Sequence, residues 1–411
     1  MCNIKKIEGG VTAPKGYTAW GLRAGIKPGK TNRDMAMIRT EAKAQVAGVF
    51  TKNLVKAAPV KWDSAIVNGG GKVGAVVVNT GFANACTGEQ GEKDARTAAE
   101  LTASLLGLEA QEVLVASTGV IGQNLPMDKI TEGVRALIPA LTGGEEAAAL
   151  AAEAIMTTDT RPKQIACEFE LGGRQCRIGG MCKGSGMIHP NLGTMLCFIT
   201  TDAAIEKSLL QKLLGEVADE TFNMISVDGD TSTNDSVLVL ANGLCGNDTI
   251  TEENQDCALF RAALYEVLKF LSMRIAEDGE GATKLFEVTV NHAADRESAR
   301  TLAKSVVTSS LTKAAIYGRD ANWGRILCAM GYSGASFDPD KVDIIFESAN
   351  GRLSIVENGV ATNYSEDFAK EVLSADKVTA LIDVKDGGVS ATAWGCDLTH
   401  EYVSINADYR S

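Results

Sequence analysis

The chain has few histidines and no closely paired cysteines, which restricts the chemistry it can perform. His189, His292 and His400 are the only histidines, and the ten cysteines include no Cys-x-x-Cys pair. Structural zinc sites are commonly built from such clusters, so we expect no metal. Scattered cysteines are typical of free thiols in a reducing compartment. This pattern predicts a cytoplasmic protein whose cysteines are not joined in disulfides.

Long apolar runs and an excess of positive charge are missing as well. No segment approaches the ~18 consecutive apolar residues of a membrane-spanning helix, so we expect no membrane partner. Acidic residues outnumber basic ones by 52 to 40, and the net charge is −12. Because phosphate backbones are bound by clustered lysine and arginine, we also expect no nucleic-acid partner. A small anionic substrate stays compatible, since a pocket can be positive inside an acidic protein.

Alternating strand and helix patterns predict an α/β protein. Apolar runs at residues 73–79 and 113–117 predict buried strands, and residues 92–106 between them have helical spacing. No Pro- or Ser-rich linker divides the chain. The same periodicities predict further helices over residues 145–156, 209–217 and 259–271, and further strands over residues 236–240 and 286–290.

The segment from residue 183 to residue 202 carries the clearest chemical signal. A glycine-rich loop and an X-Pro dipeptide precede the bond between Gly193 and Thr194, and Thr194 opens an apolar run. The run predicts a strand buried on both faces. The threonine hydroxyl can attack the carbonyl of the preceding residue, and the resulting ester is cleaved by water. Glycine at 193 has no Cβ to oppose the strained backbone that this step needs.

Cleavage would release the α-amine of Thr194 beside its own hydroxyl. An α-amine has a pKa of about 7.7–8.0, which suits it to act as the general base for that hydroxyl. A threonine at a strand start is more often only a β-branched residue in a sheet. The residues of this segment alone leave both interpretations open.

Eight further motifs accompany the cleavage segment along the whole chain. They cover residues 10–17, 79–88, 117–122, 156–160, 226–235, 277–284, 318–325 and 406–411. Together and in this order, they resemble the motifs of the ornithine acetyltransferase family, the bifunctional acetyltransferases of arginine biosynthesis.

The resemblance implies a fold and a processing event. The fold is a two-layer αββα sandwich, similar in logic to N-terminal nucleophile hydrolases but distinct in topology. Self-cleavage gives an α chain of residues 1–193 and a β chain of residues 194–411. The two chains stay associated, and the family assembles as a dimer of such heterodimers.

The implied reaction is a ping-pong acetyl transfer in arginine biosynthesis. N-acetylornithine acetylates Thr194, ornithine leaves, and glutamate takes the acetyl group. No metal or organic cofactor is implied, and acetyl-CoA is a second donor in the bifunctional members. No single residue here decides whether acetyl-CoA is used. Two alternatives stay open: a self-processed aminopeptidase of related fold, and a non-catalytic amino-acid-binding protein.

Individual roles follow from the resemblance. Thr194 is the implied nucleophile, and the Thr118 hydroxyl and the Gly119 N–H are the implied oxyanion donors. Lysine suits the α-carboxylate that both substrates carry, whereas Glu280 either pairs with an ammonium or caps a turn. Gly193 stands where the family more often has alanine, and the terminal serine replaces a commoner threonine. The implied substrate contacts are Thr157, Lys183, Thr194, Glu280, Asn406 and Ser411.

The cleavage segment predicts that the expressed protein separates into two pieces under denaturing conditions. The second piece should begin Thr194-Met195-Leu196. Thr194→Ala should stay whole because it lacks the hydroxyl, and Thr194→Ser should be cut more slowly because it lacks the methyl group that restricts χ1. Intact mass and N-terminal sequencing check this. A cut at any other bond would contradict the choice of nucleophile.

Overall fold

A computed structural model describes residues 4–27, 29–189 and 195–408. Within these ranges the chain forms sixteen strands and eleven α-helices. The strands are β1 (Lys5–Ile7), β2 (Tyr17–Leu22), β3 (Met35–Phe50), β4 (Lys72–Phe82), β5 (Val113–Val120), β6 (Lys163–Leu171), β7 (Arg174–Lys183), β8 (Leu196–Thr201), β9 (Ile225–Ser226), β10 (Ser236–Ala241), β11 (Leu285–Ala293), β12 (Asp343–Ser348), β13 (Gly351–Glu357), β14 (Val360–Ala361), β15 (Lys377–Asp383) and β16 (Val389–Cys396). The helices are α1 (Ala58–Gly69), α2 (Gly88–Leu106), α3 (Met127–Ala140), α4 (Glu145–Ala154), α5 (Lys207–Glu220), α6 (Gln255–Glu277), α7 (Arg296–Thr308), α8 (Ser310–Gly318), α9 (Trp323–Gly331), α10 (Glu366–Val372) and α11 (His400–Asp408).

Two β-sheets organise these elements. In the described chain the first sheet has nine strands in the order β1-β6-β7-β8-β10-β3-β4-β5, with β2 paired to β3. The second has seven strands in the order β14-β13-β12-β15-β11-β16-β9. Helices cover both sheets, so the prediction of an α/β protein built as a sandwich of two sheets and helices is confirmed.

Strand β8 lies in the middle of the first sheet and is buried on both faces. It pairs with β7 on one side and runs parallel to β10 on the other. Cys197 and Ile199 belong to the core shared with α5 and α6, whereas Leu196 and Phe198 face the opposite core. The apolar run after residue 194 is therefore the interior strand that the sequence predicts.

Helix α6 connects the two sheets. It contacts β6 and β7 of the first sheet and β9, β11 and β16 of the second. Asn254 caps its first turn by accepting a hydrogen bond from the Cys257 N–H at 2.9 Å. The helix ends at Glu277, and the loop after it brings Glu280 to the end of β7, where the Glu280 N–H donates to the Ser185 carbonyl.

The expectation that all cysteines are free thiols is wrong for one pair. Cys176 of β7 and Cys245, in the turn after β10, form a disulfide. They are 69 residues apart, and only the pairing of β7, β8 and β10 brings them together. The other seven cysteines of the described ranges are free. The expectation of a reducing compartment rested partly on free cysteines, and this bonded pair does not support it.

The helices of the described part are too short or too polar for a bilayer. None combines the length and the hydropathy that spanning a membrane requires. Even the longest, α6, carries several charged residues along its 23 positions.

Candidate active site

Residues named from the sequence converge on one cavity of about 150 Å³. They come from the ends of β5 and β7, the loops after α4 and α6, and helix α11. Met195 and Leu196 line the same cavity, so the chain that follows the predicted nucleophile borders it. Gly193, Thr194 and Ser411 lie outside the described residues. The converging residues are Thr118, Gly119, Thr157, Lys183, Glu280 and Asn406.

A wider groove of about 730 Å³ runs along α7. Arg296, Arg300 and Lys304 line it together with His189. Of the described residues with an implied role in substrate binding or catalysis, none lines this groove. We therefore place the candidate site in the smaller cavity.

The end of β5 has a backbone conformation that only glycine tolerates well. At Gly119 φ is +134°, and an added Cβ would lie 2.3 Å from the carbonyl carbon of Gly81 on the neighbouring strand. Thr118 precedes it and lines the cavity. A hydroxyl and an N–H on a rigid strand end are suited to stabilise developing negative charge, because they need little reorganisation.

Asn234 connects the end of β5 to β10, the strand that runs beside β8. Its side-chain amide donates to the Ala83 carbonyl at 2.5 Å and to the Ser117 carbonyl at 2.7 Å. Asn234 is buried and lies two residues before β10. The predicted oxyanion donors are thereby held in a fixed position relative to the start of β8. Sequence reasoning did not single out Asn234, although it lies within the motif of residues 226–235.

A buried charge network supports the other wall of the cavity. The Lys163 ammonium contacts Asp159 at 2.7 Å and Asp278 at 2.5 Å, and all three side chains are at most 4% exposed. Burial opposes the charge on Lys163, but the two carboxylates more than offset it and raise its pKa. Asp159 also accepts hydrogen bonds from the backbone N–H groups of Thr157 and Gly184. The network thus fixes the backbone of Thr157, an implied binding residue, and of Gly184, which follows Lys183.

Lys183 is the buried cation of the cavity. It ends β7 opposite Leu196, the first residue of β8. Burial lowers its pKa, and the negative charges of Asp159 and Glu280 oppose that shift. A lysine ammonium that lines a small cavity is suited to bind the carboxylate of a small ligand.

Glu280 and the C-terminal helix meet at this cavity. The Asn406 amide donates to Glu280 Oε2 at 2.7 Å, and the Glu280 N–H donates to the Ser185 carbonyl at 3.2 Å. A Cβ on Gly186 would lie 2.4 Å from the Glu280 carboxylate, so glycine permits this approach. Asn406 therefore lies at the site, where the resemblance implies it.

The chain is anchored on both sides of the predicted cut. The Asp228 carboxylate accepts from the Met187 and Ile188 N–H groups at 2.6 and 2.8 Å. The Thr231 hydroxyl donates to the His189 carbonyl at 2.9 Å. Beyond the cut, the Ser236 N–H donates to the Met195 carbonyl at 2.9 Å. These contacts fix the residues that flank positions 190–194.

The loop before the cut also contains unusual backbone. Ser185 and Met187 have φ values of +90° and +57°, although neither is glycine. Such conformations each cost about 1–3 kcal/mol and persist only where the surroundings impose them. The hydrogen bonds to Asp228 and to Glu280 supply that constraint.

Asp235 is a further cavity residue that sequence reasoning did not single out. It is 1% exposed and lines the cavity near Lys183. Among the described groups, its Oδ2 atom has no hydrogen-bond partner. Burial raises the pKa of Asp235 well above its ordinary value of 3.8. The carboxyl group therefore keeps its proton at pH values where an unfolded aspartate has lost it.

This proton predicts a measurable pH dependence of stability. Above about pH 4 the folded state holds a proton that the unfolded state releases, so the free energy of unfolding falls as pH rises. Asp235→Asn removes the titrating group, and its free energy of unfolding should fall less steeply. Urea unfolding at several pH values, in a Thr194→Ala background that we expect to stay whole, measures the difference. Asp230→Asn, which changes an exposed aspartate, is the control. If the free energy of unfolding of Asp235→Asn falls with pH as steeply as that of its parent, the prediction is wrong.

Comparison with known proteins identifies the family. The ArgJ family model matches residues 18–411. The arginine biosynthesis bifunctional protein ArgJ of Thermotoga neapolitana is 50% identical over 400 residues, which are 97% of this chain and 99% of that protein. The protein of the same name from Bacillus subtilis is 46% identical over 410 residues, or 99% of this chain and 98% of that protein.

A solved structure agrees with these matches. The crystal structure of ArgJ from Bacillus halodurans aligns with a TM-score of 0.50 at 47% identity, and it covers 52% of this chain and 98% of that chain. The family model and the relatives span nearly the whole sequence, and the cavity holds the residues that the family motifs carry. This chain therefore belongs to the ArgJ family.

Proposed function

We propose that this chain is a self-cleaving glutamate N-acetyltransferase of arginine biosynthesis, which moves an acetyl group from N-acetylornithine to glutamate through Thr194. The observation that carries the proposal is the convergence of six implied site residues on one cavity where β8 begins. The relatives matched over their whole length support it, since they are named as bifunctional proteins of arginine biosynthesis.

The proposed cut gains support from the length of the solved relative. Its matched region is 52% of 411 residues, or about 214, and this is 98% of the solved chain. That chain is therefore about 218 residues long, which is close to the length from residue 194 to residue 411. A solved relative of about half this chain's length agrees with a division of the protein into two pieces.

Self-cleavage proceeds by an N-to-O acyl shift. The Thr194 hydroxyl attacks the carbonyl carbon of Gly193, and the C–N bond between the two residues breaks as the ester forms. Water then hydrolyses the ester, leaving a carboxylate on Gly193 and a free amine on Thr194. The anchoring of residues 187–189 and of Met195 holds the chain in register on both sides of this step.

Acetyl transfer uses the amine and hydroxyl that cleavage leaves. The amine takes the hydroxyl proton while the oxygen attacks the acetyl carbonyl of N-acetylornithine. The Thr118 hydroxyl and the Gly119 N–H donate to the oxyanion, and the proton passes to the departing amine of ornithine. The α-amine of glutamate then attacks the acetyl ester and regenerates Thr194.

Two charged residues orient the substrates. Lys183 binds the α-carboxylate that both amino acids share, and its burial strengthens that contact. Glu280, held by Asn406, offers a carboxylate to an ammonium group of the substrate. The charges of the cavity therefore match a zwitterionic amino acid.

The two chains remain interleaved after the cut. In the first sheet, β8 and β10 of residues 194–411 lie between β7 and β3 of residues 1–193. Separating the pieces would break both strand pairings and expose the core on either side of β8. We propose that this heterodimer pairs with a second copy, and that acetyl-CoA serves as a second donor, as the word bifunctional in the relatives' names suggests.

Substrate assays separate this function from its rivals. Purified protein given N-acetylornithine and glutamate should form ornithine and N-acetylglutamate in equal amounts. The same protein given a peptide amide should release little amine. Peptide hydrolysis without acetylation of glutamate would favour an aminopeptidase, and an intact, inactive chain would favour a binding protein.

Thr118→Ala tests the oxyanion assignment. One donor is lost and the Gly119 N–H remains, so kcat should fall by ~10²–10³ while KM changes little. Steady-state kinetics with N-acetylornithine as the varied substrate measure both constants. Thr97→Ala, on the exposed face of α2, is the matched control and should behave as the wild type. A rise in KM with unchanged kcat would make Thr118 a binding residue instead.

A further inference from the structure

Two bonded cysteines lie on opposite sides of the proposed cut. Cys176 belongs to residues 1–193, and Cys245 belongs to residues 194–411. Their Cα atoms are 5.3 Å apart, within the range of roughly 4.4–6.8 Å that disulfides require. Both side chains are buried, with exposures of 0% and 7%. The pair is therefore enclosed where the two pieces meet.

The fold itself builds this contact. Asp202, which follows β8, accepts from the Arg177 N–H at 2.7 Å, next to Cys176. The backbone carbonyl of Asp202 accepts from the Cys245 N–H at 2.8 Å. The Asn247 side chain adds hydrogen bonds to the backbone of Ala204 at 2.8 and 3.1 Å. Both cysteines are thus held against the same turn at the end of the central strand.

We propose that the Cys176–Cys245 disulfide is a covalent staple between the two chains of the mature enzyme. The proposal rests on the proposed self-cleavage. In the uncut chain the bond closes a loop that contains the Gly193–Thr194 bond. Cleavage opens that loop, and the same disulfide becomes a crosslink between chains.

Forming the staple requires an oxidant of the disulfide class. The two thiols lose two protons and two electrons as the S–S bond forms, and a small-molecule disulfide takes them up and leaves as two thiols. The reaction proceeds through a mixed disulfide with one cysteine, which the other cysteine then displaces. The staple adds to the strand pairings of the heterodimer and prevents the pieces from separating on dilution.

A metal site is the competing interpretation of the same cluster. The two sulfur atoms and the Asp202 carboxylate lie within 4.8 Å of one another. Both carboxylate oxygens already accept backbone N–H groups, from Arg177 at 2.7 Å and from Lys15 at 2.9 Å. Because Asp202 has this structural role on each oxygen, the geometry favours the disulfide.

Non-reducing denaturing analysis of the wild-type protein tests the staple. The protein is incubated with oxidised glutathione and quenched in acid. It is then denatured near neutral pH with excess maleimide, which blocks thiol exchange, and is measured by intact mass. We expect one crosslinked species without reductant and two pieces with it. Peptide mapping without reductant should recover Cys176 and Cys245 in one linked fragment.

Variants with matched controls assign the bond. Cys176→Ser and Cys245→Ser should each give two separate pieces without reductant. Cys167→Ser and Cys257→Ser are the controls, since each removes a buried free cysteine from one of the two pieces. Both control proteins should stay crosslinked.

The outcomes separate failure of the staple from failure of the cut. Two pieces without reductant, with Cys176 and Cys245 both alkylated, would overturn the staple and leave the cut standing. One piece even with reductant would overturn the cut, and the interchain staple with it. Stoichiometric bound metal that is lost in Cys176→Ser would replace the staple with a metal site.

Discussion

The burial of β8 between β7 and β10 is the constraint on which the rest of the site depends. Because this strand is covered on both faces, its register with its neighbours is fixed. That register sets Lys183 opposite Leu196 on one side and Ser236 opposite Leu196 on the other. The cation of the cavity and the loop carrying Asn234 and Asp235 are therefore brought to the point where the proposed nucleophile enters the sheet.

Polar groups around this strand hold the backbone in place and line the cavity. Lys163 with its two aspartates, Asn234, and Asp228 are hydrogen-bonded within the protein and hold backbone in place. Lys183, Glu280 and Thr118 line the cavity together with Asn234. Because buried polar groups are costly unless they are paired, the hydrogen bonds of the first set keep the backbone around the cavity in place. Asp235 is an exception, because its Oδ2 atom has no hydrogen-bond partner among the described groups. Burial raises its pKa, which favours the protonated and uncharged form of this carboxyl group.

The sequence predicts those elements whose apolar pattern is unambiguous. Strands β4, β5 and β8 and helices α2, α5 and α6 follow from continuous or helically spaced apolar residues. Strand β3 does not, because its middle contains exposed charged residues where the pairing with β4 shifts register. The Lys163 network and the Cys176–Cys245 bond join residues far apart in the chain, which no local pattern reveals. The site residues were predicted from family motifs, and only the fold explains why those motifs meet.

The covalent acetyl-threonine is the most direct test of the account. Cleaved protein is mixed with N-acetylornithine in the absence of glutamate, quenched in acid and digested. We expect the peptide that begins at Thr194 to gain the mass of one acetyl group, and we expect added glutamate to remove it. Turnover without any acetylated Thr194, or release of ornithine only when glutamate is also present, would contradict a ping-pong mechanism through this residue.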